Sequence, residues 1–442
     1  MEITAWTLLV DAGIIGILLA IGAGLRAKIA PLRALMVPSS IIAGALGLLL
    51  GPAFLNILPF SSLLGSYPSV LVILVFACIA MTTEFSMGRF GRELGQFFGY
   101  TVLQYSIQIF VGLALVLVIL KPLFHVEDSF GLVLFAGWAG GFGTAAAVGQ
   151  VFSEAGQPEV ADLAITSATV GLLIGVIGGI VMAKVGAGRG YAKHYAGLQS
   201  IPDEIKTGVL HPNGTKPAIG RHVFSGSSVE SLAFQTGMVL GIAALAYLSQ
   251  KWLKGVFPDV SVPAFSIAFI FGLAVNFAFS RLRSQHLIDR ESISSISGSA
   301  TDVLILCGIA SIKPSVVVSY WTPLLILFAV GLAVVLFISL VVAPRVLTDH
   351  WFEKQIFSFG WALGAVPQGI ALLRIVDPKM QSKTLEQYAL QGIANQNEIL
   401  AVTFVPTLVV AGLAWTAVGI WGGASVLALA LAIALSRPGK VQ

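Results

Sequence analysis

The stretch Gly137–Gly149, "GWAGGFGTAAAVG", lies in a long apolar run where an unbroken membrane helix would be expected, yet three of its first five residues are glycine. Each glycine inside a helix costs about 1 kcal/mol relative to alanine. Half a chain away, "GWALGAVPQGIALLRI" from Gly360 repeats the pattern Gly-Trp-Ala-x-Gly at an offset of 223 residues. Backbone broken at membrane depth exposes N–H and C=O groups that lipid cannot satisfy; it survives only where protein buries it or a wet cavity solvates it. A re-entrant hairpin with its tip at the midplane meets both conditions. Its half-helix N-termini suit a carboxylate, and its freed carbonyls suit a small cation. Ordinary spans packed through small residues would also carry glycines, but two breaks at matching positions favour hairpins.

The surrounding composition fits this reading. Of 442 residues, 57% are apolar and 10% charged, against about 25% charged in soluble domains, and the mean hydropathy is +0.92. The chain therefore reads as an all-α polytopic membrane protein. Its pI near 9.0 is a topology signal rather than a sign of nucleic-acid binding, because the basic residues gather in loops on one side. Cys78 and Cys307 sit in apolar segments and read as small packing residues. Glu2 and Asp11 precede the first apolar run, and Arg26 and Lys28 follow it. A cleavable signal peptide has the opposite order, so a retained first span with an external N-terminus is expected.

Spans are expected at 5–23, 34–52, 68–86, 97–120 and 162–185, then at 231–250, 261–280, 296–313, 322–344 and 396–418, with an extra apolar run at 421–436. The two halves match in order. "VPSSIIAGALG" at Val37 answers "VPAFSIAFIFG" at Val262, an offset of 225, and Asp162 and Glu398 each open the fifth span of their half. The reading is a duplication: 1–186 a first repeat with hairpin 130–153, 187–230 a cytoplasmic connecting loop, 231–418 a second repeat with hairpin 355–376, and 419–442 an extra span and tail. Five spans per copy is an odd number, so the second copy enters the membrane inverted, the plan of secondary transporters. With the N-terminus outside, only Lys121, Lys251, Lys254 and Lys313 of the 25 basic residues fall in outer loops, as the positive-inside rule requires.

At the first tip the candidate substrate-binding residues are Gly140, Gly141, Gly143 and Thr144; at the second they are Gly364, Ala365, Val366, Pro367 and Gln368. Pro367 suits the first turn of the outgoing arm. Trp138 and Trp361 read as packing residues. "GGFGTA" at Gly140–Ala145 and "GAVPQGIA" at Gly364–Ala371 resemble the hairpin motifs of the bacterial sodium/glutamate symporters, and "ATVGLLIGVIGG" at Ala168–Gly179 is similar to that family's stretch after the first hairpin. That resemblance covers most of the chain in order. It implies a homodimeric, elevator-type carrier whose hairpins hold substrate and Na⁺. Phe142 stands where that family has histidine, Val366 and Gln368 where it has threonines, and Leu372 where it has asparagine, so glutamate as the substrate does not follow automatically.

Ionisable residues inside spans are functional candidates. Arg374 could fork onto a substrate carboxylate or reach the inner surface beside Asp377 and Lys379. Asp302 could bind a cation or cap a helix. Thr144, Thr166, Ser167, Asn395 and Asn397 offer oxygens to a metal ion such as Na⁺; back-bonding to their own helix is the alternative for the hydroxyls near Thr166. Gln104, Gln108 and Asn276 read as bridges between helices, and Gly112 as a glycine in an ordinary helical stretch. No catalytic constellation and no phosphate-binding loop is present in the sequence. The expectation is a non-enzymatic, cation-coupled carrier of a small organic anion in the inner cell membrane, with Na⁺ as coupling ion and no other cofactor. A hydroxycarboxylate-type carrier of the same architecture, or a passive channel, is the alternative.

Overall fold

The structure, a computed structural model, describes residues 4–83, 91–192, 202–212, 216–225, 227–256, 262–391 and 394–436, excepting the side chains of 394–397. Among these residues every regular element is helical. Nine helices among them are long and apolar enough to cross a membrane, and the chain is a multi-pass membrane protein. Within lipid, a helix satisfies its own backbone along an apolar run of about 20 residues.

In the first half, α1 is Ala5–Lys28, α2 Ser39–Leu50, α3 Tyr67–Thr82 and α4 Arg92–Leu115. The broken segment follows as α5 (Val133–Gly137) and α6 (Gly141–Glu154), and then α7 runs from Glu159–Gly188. In the second half, α8 is Ser231–Val256, α9 Ala264–Arg281, α10 Arg290–Ala310 and α11 Trp321–Phe337. Its broken segment is α12 (Trp351–Ala362) and α13 (Val366–Val376), followed by α14 (Thr384–Leu390), α15 (Ala394–Val410) and α16 (Ala414–Ser436).

Local geometry recurs where the sequence recurs. Pro38 and Pro263 precede α2 and α9 with φ/ψ of −55°/138° and −63°/141°; proline at a helix start sacrifices no bond, because that N–H has no intrahelical partner. Both α4 and α11 run into a π-helical turn, Val116–Leu120 and Ile338–Val342. Each turn leads into a four-residue helix with Pro122 or Pro344 in its first two positions. A proline ring collides with the carbonyl four residues back, and the wider π turn makes room for it.

Three expected boundaries change. The second span, expected over 34–52, contracts to the 12 residues of α2. Pro31 and Pro38 interrupt the approach, and Met36 takes φ 48°. The span expected over 396–418 ends at Val410, where Gly412 adopts φ +75° and Leu413 N–H returns to the Leu408 carbonyl, a glycine-based helix stop. The extra run expected over 421–436 is the 23-residue α16, long enough to span by itself.

The chain folds into two compact units. The first comprises Met1–Leu25, Pro38–Glu84 and Leu210–Ile312, so it gathers α1–α3 and α8–α10, the first three helices of each half. Its core joins Ile15 and Leu18 of α1 to Ala43 of α2 and to Leu306, Cys307 and Ala310 of α10. Side chains at Gly44 and Gly47 would place Cβ 2.8 Å from Ile309 and from Ala310; the small residues let α2 and α10 approach this closely. Asp11 lies two turns inside α1 rather than ahead of the apolar run. Its buried carboxylate accepts from Ser61 N–H at 3.0 Å, from the Ser61 hydroxyl, and from the Tyr67 hydroxyl at 2.6 Å. Part of the expected connecting loop is docked here: Arg221 grips Glu291 with two bonds of 3.0 Å, and its N–H reaches Asp289, the N-cap of α10. Asn276 donates to the carbonyls of Ala80 and Thr83, a helix bridge as expected.

The second unit comprises Arg26–Val37, Phe85–Val209 and Lys313–Gln442, and it holds both broken segments. Here α16 is integral. Gln96 of α4 donates to the Leu435 carbonyl at 2.6 Å, and a Cβ at Gly99 would stand 2.8 Å from the Ala428 carbonyl oxygen. Gly112 is equally tight, facing the backbone of Gly131, so it is a packing glycine rather than an unconstrained one.

Candidate functional site

The first break is closed by the chain itself. Trp138 N–H returns to the Leu134 carbonyl at 3.0 Å and Gly140 N–H to that of Phe135 at 2.9 Å. Gly141 then takes φ +64° at the start of α6, a left-handed conformation costing any residue with a Cβ about 1–2 kcal/mol. The second break spans Leu363–Ala365: Gly364 N–H bonds the Trp361 carbonyl at 3.2 Å, and an extended Ala365 accepts from Gln368 and Gly369. Pro367 takes its place in the first turn of α13. Both breaks are thus short turns between two helical arms, which keeps most backbone groups bonded.

The two breaks touch. A Cβ at Gly141 would stand 2.5 Å from the Gly364 carbonyl oxygen. Behind them runs α7, whose Gly171, Gly175 and Gly179 recur every four residues and so share one face. A Cβ at Gly171 would meet Trp138 of the first hairpin at 2.5 Å and the Leu363 carbonyl of the second at 2.9 Å. One at Gly175 would meet Leu363 at 2.9 Å and the amide of Gln368, and one at Gly179 would run into Leu372. Gln368 also donates to the Leu172 carbonyl at 3.1 Å, while its own amide oxygen is buried without a partner. A bare stripe on α7 therefore seats both broken segments together. Trp138 is fully buried against Phe328 at 5.7 Å, and Trp361 packs between Tyr105 and Tyr388, the packing roles expected of them.

The candidate residues are distributed as follows. Gly141, Thr144 and Gly364 are buried, Gly140, Gly143, Val366 and Gln368 are half-buried, and Ala365 and Pro367 are exposed. Gly143 has open space where a side chain would go. Ser167 is fully buried against Gly137, its hydroxyl without a partner. Thr166 bonds back to the Asp162 carbonyl at 2.7 Å, the intrahelical alternative. Arg374 is eight residues along α13 from Val366, about 12 Å of helix rise, so its Cα does not sit at the tip; its Nε is buried without a partner. Asp302 lies in the other unit, exposed in the middle of α10, and the cap of that helix is Asp289. The side chains of Asn395 and Asn397 fall outside the described residues. Gln108 bridges to the Ala362 carbonyl at the foot of the second break; Gln104, expected to bridge helices, instead donates to the Tyr100 hydroxyl one turn back in its own helix α4.

One carboxylate stands out in the sequence only as the counterpart of Asp162. Glu398 of α15 is half-buried and accepts from the Thr144 hydroxyl at 3.3 Å, across 254 positions of chain. The buried Tyr105 hydroxyl faces both, without a partner at ordinary hydrogen-bond geometry. An acid beside an apolar run was the only local signal, and nothing local says that it meets the first hairpin.

The profile of the sodium/glutamate symporter family matches residues 4–381. No curated protein sequence matches the chain.

Proposed function

The chain belongs to the sodium/glutamate symporter family, and from that premise we propose that it couples entry of Na⁺ to uptake of glutamate or a related amino acid or carboxylate. The observation that carries the reading is the contact of the two breaks at Gly141 and Gly364. Two glycine-rich turns that meet, each opening a helix, bring two helix starts together. Paired helix N-termini suit an anion, and the carbonyls of the turns suit its counter-cation.

The reading includes two inverted repeats. Its supports are the paired Val-Pro helix starts, the paired π turns followed by proline, and the paired breaks. It also includes an elevator motion, because helices one to three of each half form one unit and both hairpins lie in the other. A body that carries both tips can move substrate without unfolding the site. The proposed setting is the inner membrane, with the N-terminus outside, the connecting loop cytoplasmic and two copies assembled.

The test is uptake of labelled glutamate into proteoliposomes with and without an inward Na⁺ gradient, with glutarate and citrate as competitors. Glutamate accumulation that needs Na⁺ supports the reading. Equal flux in K⁺ medium that never exceeds equilibrium would identify a passive channel, and selective accumulation of citrate would identify a hydroxycarboxylate carrier.

A further inference from the structure

Glu398 presents a carboxylate to the Thr144 hydroxyl at the first break. Among the described residues it has no basic partner, and its one hydrogen bond is the 3.3 Å bond from Thr144. An ionised carboxylate has about four acceptor sites, and an anion taken out of water without a counter-charge is costly. The groups around it are also suggestive in kind. Thr144 is 2% exposed, Tyr105 2% and Tyr388 8%, and Tyr105 and Tyr388 both stand within electrostatic reach of the carboxylate. The Tyr105 hydroxyl is buried and lacks a partner. Trp361 lies between the two tyrosine rings, with centroids at 6.4 and 6.0 Å. A carboxylate, two hydroxyl oxygens and aromatic faces together fit a small monovalent cation. One carboxylate oxygen and the two hydroxyls also match the three N–H donors of a primary ammonium.

We propose that Glu398, with Thr144 and Tyr105, forms a monovalent-cation site at the tip of the first hairpin, occupied by a sodium ion or by the primary ammonium of the cargo. The assignment rests on the transport reading for its purpose, but its carboxylate, Glu398, lies beyond the matched residues 4–381. The site gives α15 a role at the first hairpin. A cation held between Glu398 and Thr144 draws α15 and α6 together, so an occupied site differs from an empty one in how firmly that tip is fixed.

The experiment uses the full-length protein purified in detergent, first without substrate and then with glutamate or glutarate added. Its melting temperature is followed as NaCl replaces choline chloride at constant ionic strength. Under sodium occupancy, sodium raises the melting temperature of the wild type, and Glu398→Gln raises half-saturating sodium at least about tenfold, as loss of a direct ligand should exceed the usual effect of losing an outer one. Thr144→Val and Tyr105→Phe shift it in the same direction by less. Under ammonium occupancy, sodium acts on wild type and Glu398→Gln alike, and the difference appears with glutamate against glutarate at fixed sodium. The wild type prefers the amine, and the variant loses that preference. If Glu398→Gln fails to fold, Thr144→Val and Tyr105→Phe carry the comparison. Variants that keep both the wild-type sodium response and the wild-type amine preference overturn the proposal, as does a wild type that shows neither. Because sodium binding is read without transport, failure of sodium-driven uptake alone would count against the proposed function and leave this site standing.

Discussion

Gly141 concentrates two constraints that can be separated by mutation. Its φ of +64° costs an alanine about 1–2 kcal/mol. A Cβ there would also stand 2.5 Å from the Gly364 carbonyl oxygen, which is backbone and cannot swing away, and forced overpacking typically costs about 1–3 kcal/mol. Together Gly141→Ala should cost about 2–5 kcal/mol, a large share of the 5–15 kcal/mol that holds a typical domain. The cost falls on the contact between the two breaks. Gly364→Ala differs, because its Cβ would press on the end of the flexible Gln368 side chain, while the nearest backbone, Leu172 Cα, stands at an ordinary 3.5 Å; its loss should be smaller. Gly143→Ala meets nothing within 4 Å and should be neutral or stabilising by up to about 1 kcal/mol, as alanine favours a helix. The assay is Na⁺-driven uptake at matched protein in proteoliposomes, beside melting temperature in detergent. The expected order of damage in both is Gly141, then Gly364, then Gly143. Wild-type melting and uptake by Gly141→Ala would refute the contact. A Gly143→Ala protein that melts normally yet fails to transport would instead place the cargo in the open space at Gly143.

Three further outcomes are expected. Cys78 and Cys307 are buried, so single cysteines at Glu154 and Lys379, both exposed, should give a clean signal with an impermeant maleimide on intact cells. Labelling only at Glu154 fits inverted repeats, and equal labelling excludes them. Asp11→Asn weakens a carboxylate that accepts three hydrogen bonds and should cost about 2–4 kcal/mol, since bonds to a charged group are worth about 1.5–3 kcal/mol each. It should lower the melting temperature while leaving uptake per folded molecule intact; unchanged melting would show that the staple contributes nothing. Gly171→Val would wedge between Trp138 and the Leu363 carbonyl and should abolish uptake, whereas Gly241→Val, with nothing within 4 Å, should be tolerated. Similar uptake by the two variants would contradict the seating of the hairpins on α7.

The amino-acid sequence determined the parts of this protein that depend on neighbours a few residues apart. Apolar runs have to be helices in lipid, glycines at 140, 141 and 364 have to interrupt them, and Pro367 has to sit where its missing N–H does no harm. The matched proline starts, legible as a repeated Val-Pro, carried their backbone angles with them. Other features were set only when distant segments met. Glycine looks the same in a sequence whether it takes φ +64° as Gly141 does, lies in open space as Gly143 does, or is pressed against backbone as Gly112 is. Proline positions shortened α2, and the left-handed turn at Gly412 cut the last expected span in two, because helix ends depend on which groups find partners. Asp11 looked like a flanking charge until Ser61 and Tyr67 closed on it. Glu398 looked like a marker until folding set it against Thr144, 254 residues earlier. Local patterning fixes which stretches are helical and where they break; which carboxylate faces which hydroxyl is a matter of burial and charge between segments far apart in the chain, and only the packed structure decides it.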